Sequence, residues 1–515
     1  MFGKRAQYNA NPTITKIMGD IMNRGVFAWW CAFLMLLLTG SVIALAISGK
    51  PARSPADAGI ASRSSLPSIT GAKELLNSSH RHPDWIHVPA GSATILTWVV
   101  YPDRADRAGV IIITAKDQQL SDWLRAVSDE VASEGFIAVV PDVSSNARAE
   151  IDAVWNYMAR HPAANGKHAN LSFSGDHIDI SISGISKGEV SAGFPLSDQA
   201  WPVAMTFLNK TMENDPSRVL QLPAHVHGGH EMFEPEPQEQ RRGGENGNRP
   251  SGGEQTCAVG SLNCKRDDMV AGFNTAKSTL AHSPIRTEWV DIPMGTARLH
   301  TRITYPQGTG KAPIVIVMTG ANGLNDWMRS VGDQLSRQGF ISISPDLHSG
   351  FGPNGGNWDS FEFPDDVVKA TARIPRDEVM RRYKAARDYA LKLPQANGKS
   401  ASIGFCAGGT NSFTFAGEAP ELNAAVVYYG TAPNETTMAK IKGPVLGLYG
   451  QIDARITESV EPTVAAMKKL GKIYEPHIYK DATHGFLEYQ NLGENAKATA
   501  DAWPRTIAFL KENTK

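Results

Sequence analysis

The chain has 515 residues, a formal net charge of −1 and 42% apolar residues. That is enough for about two to three domains with cores of their own. The near-neutral balance, without any long basic run, argues against nucleic acid as a partner.

The first predicted element is a membrane segment. Residues 26–48 read VFAWWCAFLMLLLTGSVIALAIS, and no charged residue falls between Arg24 and Lys50. A run of this length crosses a hydrocarbon core of about 30 Å. Lys4, Arg5, Lys16 and Arg24 precede it, which places residues 1–25 on the cytoplasmic side and exports the remainder. ALA at 44–46 offers a signal-peptidase site, but the run is longer than cleaved signals usually are, so an uncleaved anchor is the preferred reading. Residues 49–80 then read as a tether.

The rest of the chain contains one pattern twice. WIHVPAGSATILTWVVYP from Trp85 matches WVDIPMGTARLHTRITYP from Trp289, and SDWLRAVSDEVASEGFIAVVPD from Ser121 matches NDWMRSVGDQLSRQGFISISPD from Asn325. Between these blocks lie GVIIIT and PIVIVMTG, continuous apolar runs typical of buried parallel strands. Strands alternating with amphipathic helices predict α/β units on a mostly parallel, doubly wound sheet. The first copy spans 81–233. A polar, Gly/Pro-rich linker follows over 234–284, and the second copy spans 285–515. The second copy alone carries LHSGFGPNGGNWDSFEFPDDVVKATARIP after Asp346.

Both copies then read ANGK, at Ala164 and Ala396. ISISGISKGE in the first and SASIGFCAGG in the second read as a strand entering a tight turn, so Ser186 is expected where Cys406 stands. VAMTFLN from Val203 is matched to AAVVYYG from Ala424. His225, His227 and His230 lie near acidic residues, a pattern compatible with metal, but it reads more simply without one, and neither metal nor cofactor is expected.

Of four cysteines, Cys31 lies in the apolar run, and Cys257 and Cys264 are close enough to pair in an oxidising compartment. Cys406 is left over, in GFCAGG. A sharp strand–turn–helix elbow exposes a nucleophile, and the N–H of Ala407 behind it points to where an oxyanion would form. A thiol attacks as thiolate and needs a base. Asp453 follows the apolar run PVLGLYG, and His484 follows in THGF. The expected roles are Cys406 as nucleophile, His484 as general base and acid, and Asp453 as its orienter. Ser186 has no corresponding histidine, so the first copy reads as degenerate and inactive.

GFCAGG, GQIDARI and DATHGF together, with SRQGFISISPDL, resemble the dienelactone hydrolase family of the α/β-hydrolase superfamily across residues 285–515. The resemblance implies hydrolysis of a small-molecule ester or lactone through an acyl-cysteine. It also implies a second oxyanion N–H at Ala321. Gly320 replaces a family glutamate that governs ionisation of the cysteine, and its loss suggests a constitutively charged thiol. Glu488 replaces an arginine that holds the carboxylate of family lactones. In the inserted segment, Trp358 and Phe361 are candidate pocket walls, or else the packed aromatics of a surface loop. Arg373, Arg376 and Arg381 could stand in for the missing arginine, Arg376 as the candidate substrate ligand, but read more simply as solvated helix charges. The competing expectation is a non-catalytic scaffold built of two degenerate copies on a membrane tether.

Overall fold

The computed structural model describes residues 65–220 and 269–515, apart from 80, 82, 117–119, 144–146 and 187. The apolar run 26–48, His225, His227, His230, Cys257 and Cys264 lie outside the described residues. Among the described residues no helix is long and apolar enough to cross a membrane. Among them also, no cluster of three or more His, Cys, Asp or Glu could hold a metal.

Both copies fall within one compact unit, and each has its own mixed sheet. The first is built from β1 (Pro83–Ala90), β2 (Ala93–Val100), β3 (Ala108–Ala115), β4 (Ile137–Pro141), β5 (Ala164–Ser174), β6 (His177–Ser183) and β7 (Val190–Pro195). The second is built from β8 (Arg286–Met294), β9 (Ala297–Tyr305), β10 (Ala312–Met318), β11 (Ile341–Pro345), β12 (Ala396–Phe405), β13 (Ala424–Tyr428), β14 (Val445–Ile452) and β15 (Tyr474–Thr483). The strand orders are β1-β2-β4-β3-β5-β6-β7 and β15-β14-β13-β12-β10-β11-β9-β8. Through the first five strands of each copy the two orders coincide: an antiparallel hairpin leads into three parallel strands. The central strands are buried on both faces. Ile314, Ile316 and Met318 of β10 enter one core layer, and Val315 and Val317 the opposite one.

Beyond that point the copies part. In the second, β12, β13, β14 and β15 continue in parallel with helices between them. In the first, β5 folds straight back on β6, and β6 on β7, both antiparallel. The expectation of a mostly parallel sheet therefore holds for the second copy and not the first. Two matched segments are also corrected. GISKG joins β6 to β7, with Ser186 exposed, and VAMTFLN is part of the helix Trp201–Thr211.

The register shows which residue takes the place of Cys406. Ala108 and Ala115 of β3 pair with Ala164 and Phe173, while Ala312 and Met318 of β10 pair with Ala396 and Gly404. Counting from the two ANGK motifs, the counterpart of Cys406 is Ser174.

The flanking tethers are shorter than composition suggested. Ala72–Ser78 is a helix, and Asp129 of the neighbouring helix Asp122–Ser133 accepts a hydrogen bond from Ser79 Oγ. Phe273–Ala281 is another helix, held to the second copy by Phe273 N–H donating to the Glu488 carbonyl (2.8 Å) and by Trp327 Nε1–H donating to the Ala271 carbonyl (2.9 Å).

The inserted segment of the second copy ends in the helix Pro364–Arg373, which seats the first copy. Arg125, with a fully buried side chain, makes two hydrogen bonds to Asp365, at 2.6 and 2.9 Å. Burial opposes ionisation of Asp365, but these bonds outweigh it and hold its carboxyl below the ordinary range. Val368 joins the first copy's core.

Candidate active site

The local chemistry of the elbow follows from its small residues. Strand β12 ends at Phe405, and Cys406 has φ +58° and ψ −122°, a backbone region costly for a residue with a Cβ. The helix Ala407–Glu418 begins at once. A Cβ on Gly408 would lie 2.0 Å from the Met318 carbonyl, and one on Gly404 1.9 Å from the Gly408 carbonyl. Only glycine permits that approach. The Cys406 N–H donates to the Tyr428 carbonyl (3.1 Å), fixing the turn to β13. As the helix's first residue, Ala407 has an N–H without an i−4 carbonyl in that helix.

The parallel sheet aligns the other two groups. Ile452 at the end of β14 pairs with Thr483 at the end of β15. Asp453 and His484 are the next residue of each strand, and Asp453 Oδ2 lies 2.6 Å from His484 Nδ1. Asp453 is buried, and the ring of Tyr429 packs 4.8 Å from the His484 ring. Cys406 and His484 line one cavity of about 110 Å³. Cys406 is half-buried and in no disulfide.

Gly320 and Ala321 complete the floor of this cavity. A Cβ on Gly320 would sit 3.4 Å from Cys406 Cβ. Three contacts hold this loop: Thr319 N–H donates to Tyr383 Oη (3.2 Å), Thr371 Oγ1–H donates to the Ala321 carbonyl (2.8 Å) and Trp358 Nε1–H donates to the Asn322 carbonyl (2.9 Å).

Trp358 therefore stands one layer behind the cavity rather than on its wall. Phe361 packs with it, edge-on to His348. Arg376 donates to Thr414 Oγ1 (2.8 Å). None of the three is among the residues that line this cavity. A Gly- and aromatic-rich insertion looks alike whether its aromatics face a ligand or back the loop that does.

Two features go beyond the sequence reading. First, Glu488 lines the cavity with Oε1 enclosed and without a hydrogen-bond partner. Burial, and then the neighbouring Cys406, push its carboxyl up from 4.5 to about 8, against a hydrogen bond from Asn325. A carboxyl thus does face the thiol, supplied from beyond His484 rather than from position 320. Second, one wall comes from the first copy and the helix that precedes it: Arg81, Trp98 and Asp129 line the cavity together with Leu76, Asn77 and Ser79. The spacing of Glu488, four residues past His484, marked its place, but not the enclosure of its carboxyl beside the thiol. The contribution of the first copy left no signal, because it depends on docking.

Residues 299–514 match the Dienelactone hydrolase family. A putative carboxymethylenebutenolidase of Escherichia coli strain K12 is 27% identical over 266 residues, covering 47% of this chain and 95% of that protein. Another from Saccharolobus solfataricus is 29% identical over 249 residues, covering 42% of this chain and 96% of its own. A crystal structure of a putative dienelactone hydrolase from Klebsiella pneumoniae shares 23% identity, covers 44% of this chain and 98% of that one, and has a TM-score of 0.39.

Proposed function

We propose, from the premise that the second half of this chain belongs to the dienelactone hydrolase family, that Cys406, His484 and Asp453 hydrolyse a small ester or lactone through an acyl-cysteine. The second half is a carboxylic ester or lactone hydrolase by family; the route through the thiol is our reading. The observation that carries it is the 2.6 Å His484–Asp453 contact at the rim of a cavity that also holds Cys406 on its strained elbow.

In this reading His484 accepts the thiol proton, and the imidazolium is stabilised by Asp453. Cys406 Sγ attacks the carbonyl carbon, and the oxyanion sits on the N–H groups of Ala407 and Ala321. The tetrahedral species collapses, the C–O bond breaks, and His484 returns its proton to the leaving oxygen. In a lactone that oxygen remains tethered to the acyl group. Water, deprotonated by His484, then attacks the thioester carbonyl, and the sulfur leaves. No metal or cofactor enters these steps.

Turnover of p-nitrophenyl acetate tests the proposal. It should vanish in Cys406→Ala; equal rates in variant and parent would favour the scaffold reading instead. We extend the proposal to location, from the uncharged run at 26–48: the hydrolase is held at a membrane with its catalytic part exported. Recovery in the soluble fraction after mild lysis would reject that extension.

A further inference from the structure

We propose that the first copy is part of the second copy's active site, with Asp84 as a positioning residue that holds Arg455 beside His484 and offsets its charge. The inference rests on the Cys406–His484–Asp453 reading and adds a function for the half of the chain that has no catalytic motif.

Arg455 stands two residues after Asp453, and its side chain is 10% exposed. Its Nη2 lies 3.2 Å from His484 Nδ1, and its Nε lies 3.8 Å from Asp453 Oδ1. Its Nη1 donates to Asp84 Oδ2 of β1 (3.0 Å), and its guanidinium lies over the ring of Tyr101 at 5.1 Å. Burial acts against the charge of Arg455, but Asp84 and then Asp453 keep it protonated. The charged and titratable groups facing this guanidinium are Asp84, Tyr101 and His161 from the first copy, and Asp453, His484 and Cys406 from the second.

The position creates a fork. His484 Nδ1 has one hydrogen-bonding site and two candidate partners. If Nδ1 carries the proton, it donates to Asp453, and Nε2 is left basic. If Nδ1 is bare, it accepts from Arg455, and Nε2 carries the proton and has no basicity to offer a thiol. A guanidinium this close also disfavours the imidazolium that follows proton transfer. A second carboxylate on Arg455 opposes both effects, because it takes a guanidinium N–H and supplies a compensating negative charge. Asp84 is that carboxylate, and it belongs to the other copy.

The contact lies within a seated interface. Ala454 N–H donates to the Arg104 carbonyl (3.2 Å), and Arg107 pairs with Glu458 (2.8 Å), so both ends of the short helix Ala454–Thr457 are pinned to the first copy. Ala454 joins the apolar cluster of the first copy. A simple ion pair holding two domains together is the competing account, and it makes a different prediction.

The test follows the rate of carbamidomethylation at Cys406 by iodoacetamide across pH in the full chain, read by mass spectrometry of the peptide that contains it, together with the pH profile of kcat/KM on p-nitrophenyl acetate. Asp84→Asn removes a negative charge, so the apparent pKa of thiol alkylation and the alkaline limb of the profile should both move down, by about 0.5–1 unit. Arg455→Gln should move both up by a similar amount. The double variant should return close to the parent, and Asp84→Glu, which keeps the charge, should leave both profiles close to the parent's. Arg107→Ala, which breaks a cross-copy pair away from the imidazole, should lower the melting temperature without moving either profile. If Asp84→Asn and Arg455→Gln shift in the same direction, or neither shifts while both melt earlier, the inference is overturned and the pair is only an interface contact. Alkylation is read without turnover, so a failure of the hydrolase reading, seen as Cys406→Ala hydrolysing like the parent, remains distinguishable.

Discussion

Strands β5 and β12 begin with the same four residues, pair on one side with the equivalent strands β3 and β10, and end differently. After Phe405 the chain reads Cys-Ala-Gly-Gly and turns into a helix. After Phe173 it reads Ser-Gly-Asp-His and turns back as a hairpin, with Ser174 opposite His177 and Gly175 at φ +61°. The elbow needs no side chain at 404, 408 and 409, where a Cβ would meet carbonyl oxygens at 1.9, 2.0 and 2.4 Å. The first copy has Ser172, Asp176 and His177 at those places, which rules out the elbow on steric grounds alone. Without the elbow there is no helix dipole behind residue 174. Among the described residues, no third parallel crossover follows to bring an acid and a histidine alongside. The difference teaches that what separates the first copy from the second is topology, not one nucleophile.

The largest expected effect comes from breaking the second exit. Cys406→Ala should reduce ester turnover by about 10⁴-fold or to background, as removal of a nucleophile does in comparable triads, measured by initial rates. Next comes the joint between the copies. Asp365→Ala leaves Arg125 buried with one fewer carboxylate, and should destabilise the chain by about 3 kcal/mol in denaturant unfolding, a little less if Asp122 takes over.

A smaller, pH-dependent effect attaches to Glu488. Its folded-state acid is raised from 4.5 to about 8, so the unfolded chain ionises first. Its contribution to stability is therefore full below about pH 4.5 and is lost as pH rises towards 8. Glu488→Gln should flatten the parent's decline over that window, followed as melting temperature against pH. The smallest effect is expected at the first exit. Ser174→Ala, which removes an exposed hydrogen bond to Asp179, should leave turnover unchanged and stability within about 0.5 kcal/mol. A marked loss of activity there would undo the contrast between the two strands.

Much of the second copy was legible because its signals are local. A glycine elbow, an acid one residue past a strand and a histidine one residue past the next are all visible as motifs. Parallel register then brings Asp453 and His484 together. The first copy misled because GISKG fits a nucleophile pattern, while the true counterpart, Ser174, is found only by counting from ANGK. Trp358 and Arg376 show another limit. Residue type suggested a pocket, but which face of an inserted segment meets the cavity is decided by packing. The pairing of Arg455 with Asp84 spans 371 residues and two copies, and no periodicity encodes it.

The central claim is that the second exit makes Cys406 the atom that takes the acyl group. Quenching the full chain in acid during steady turnover of p-nitrophenyl acetate, and weighing the peptide that contains Cys406, tests it most directly. The account predicts one acetyl group on that peptide in the parent and none in Cys406→Ala, which also ceases to turn over. Continued hydrolysis with Cys406 never acylated would contradict it.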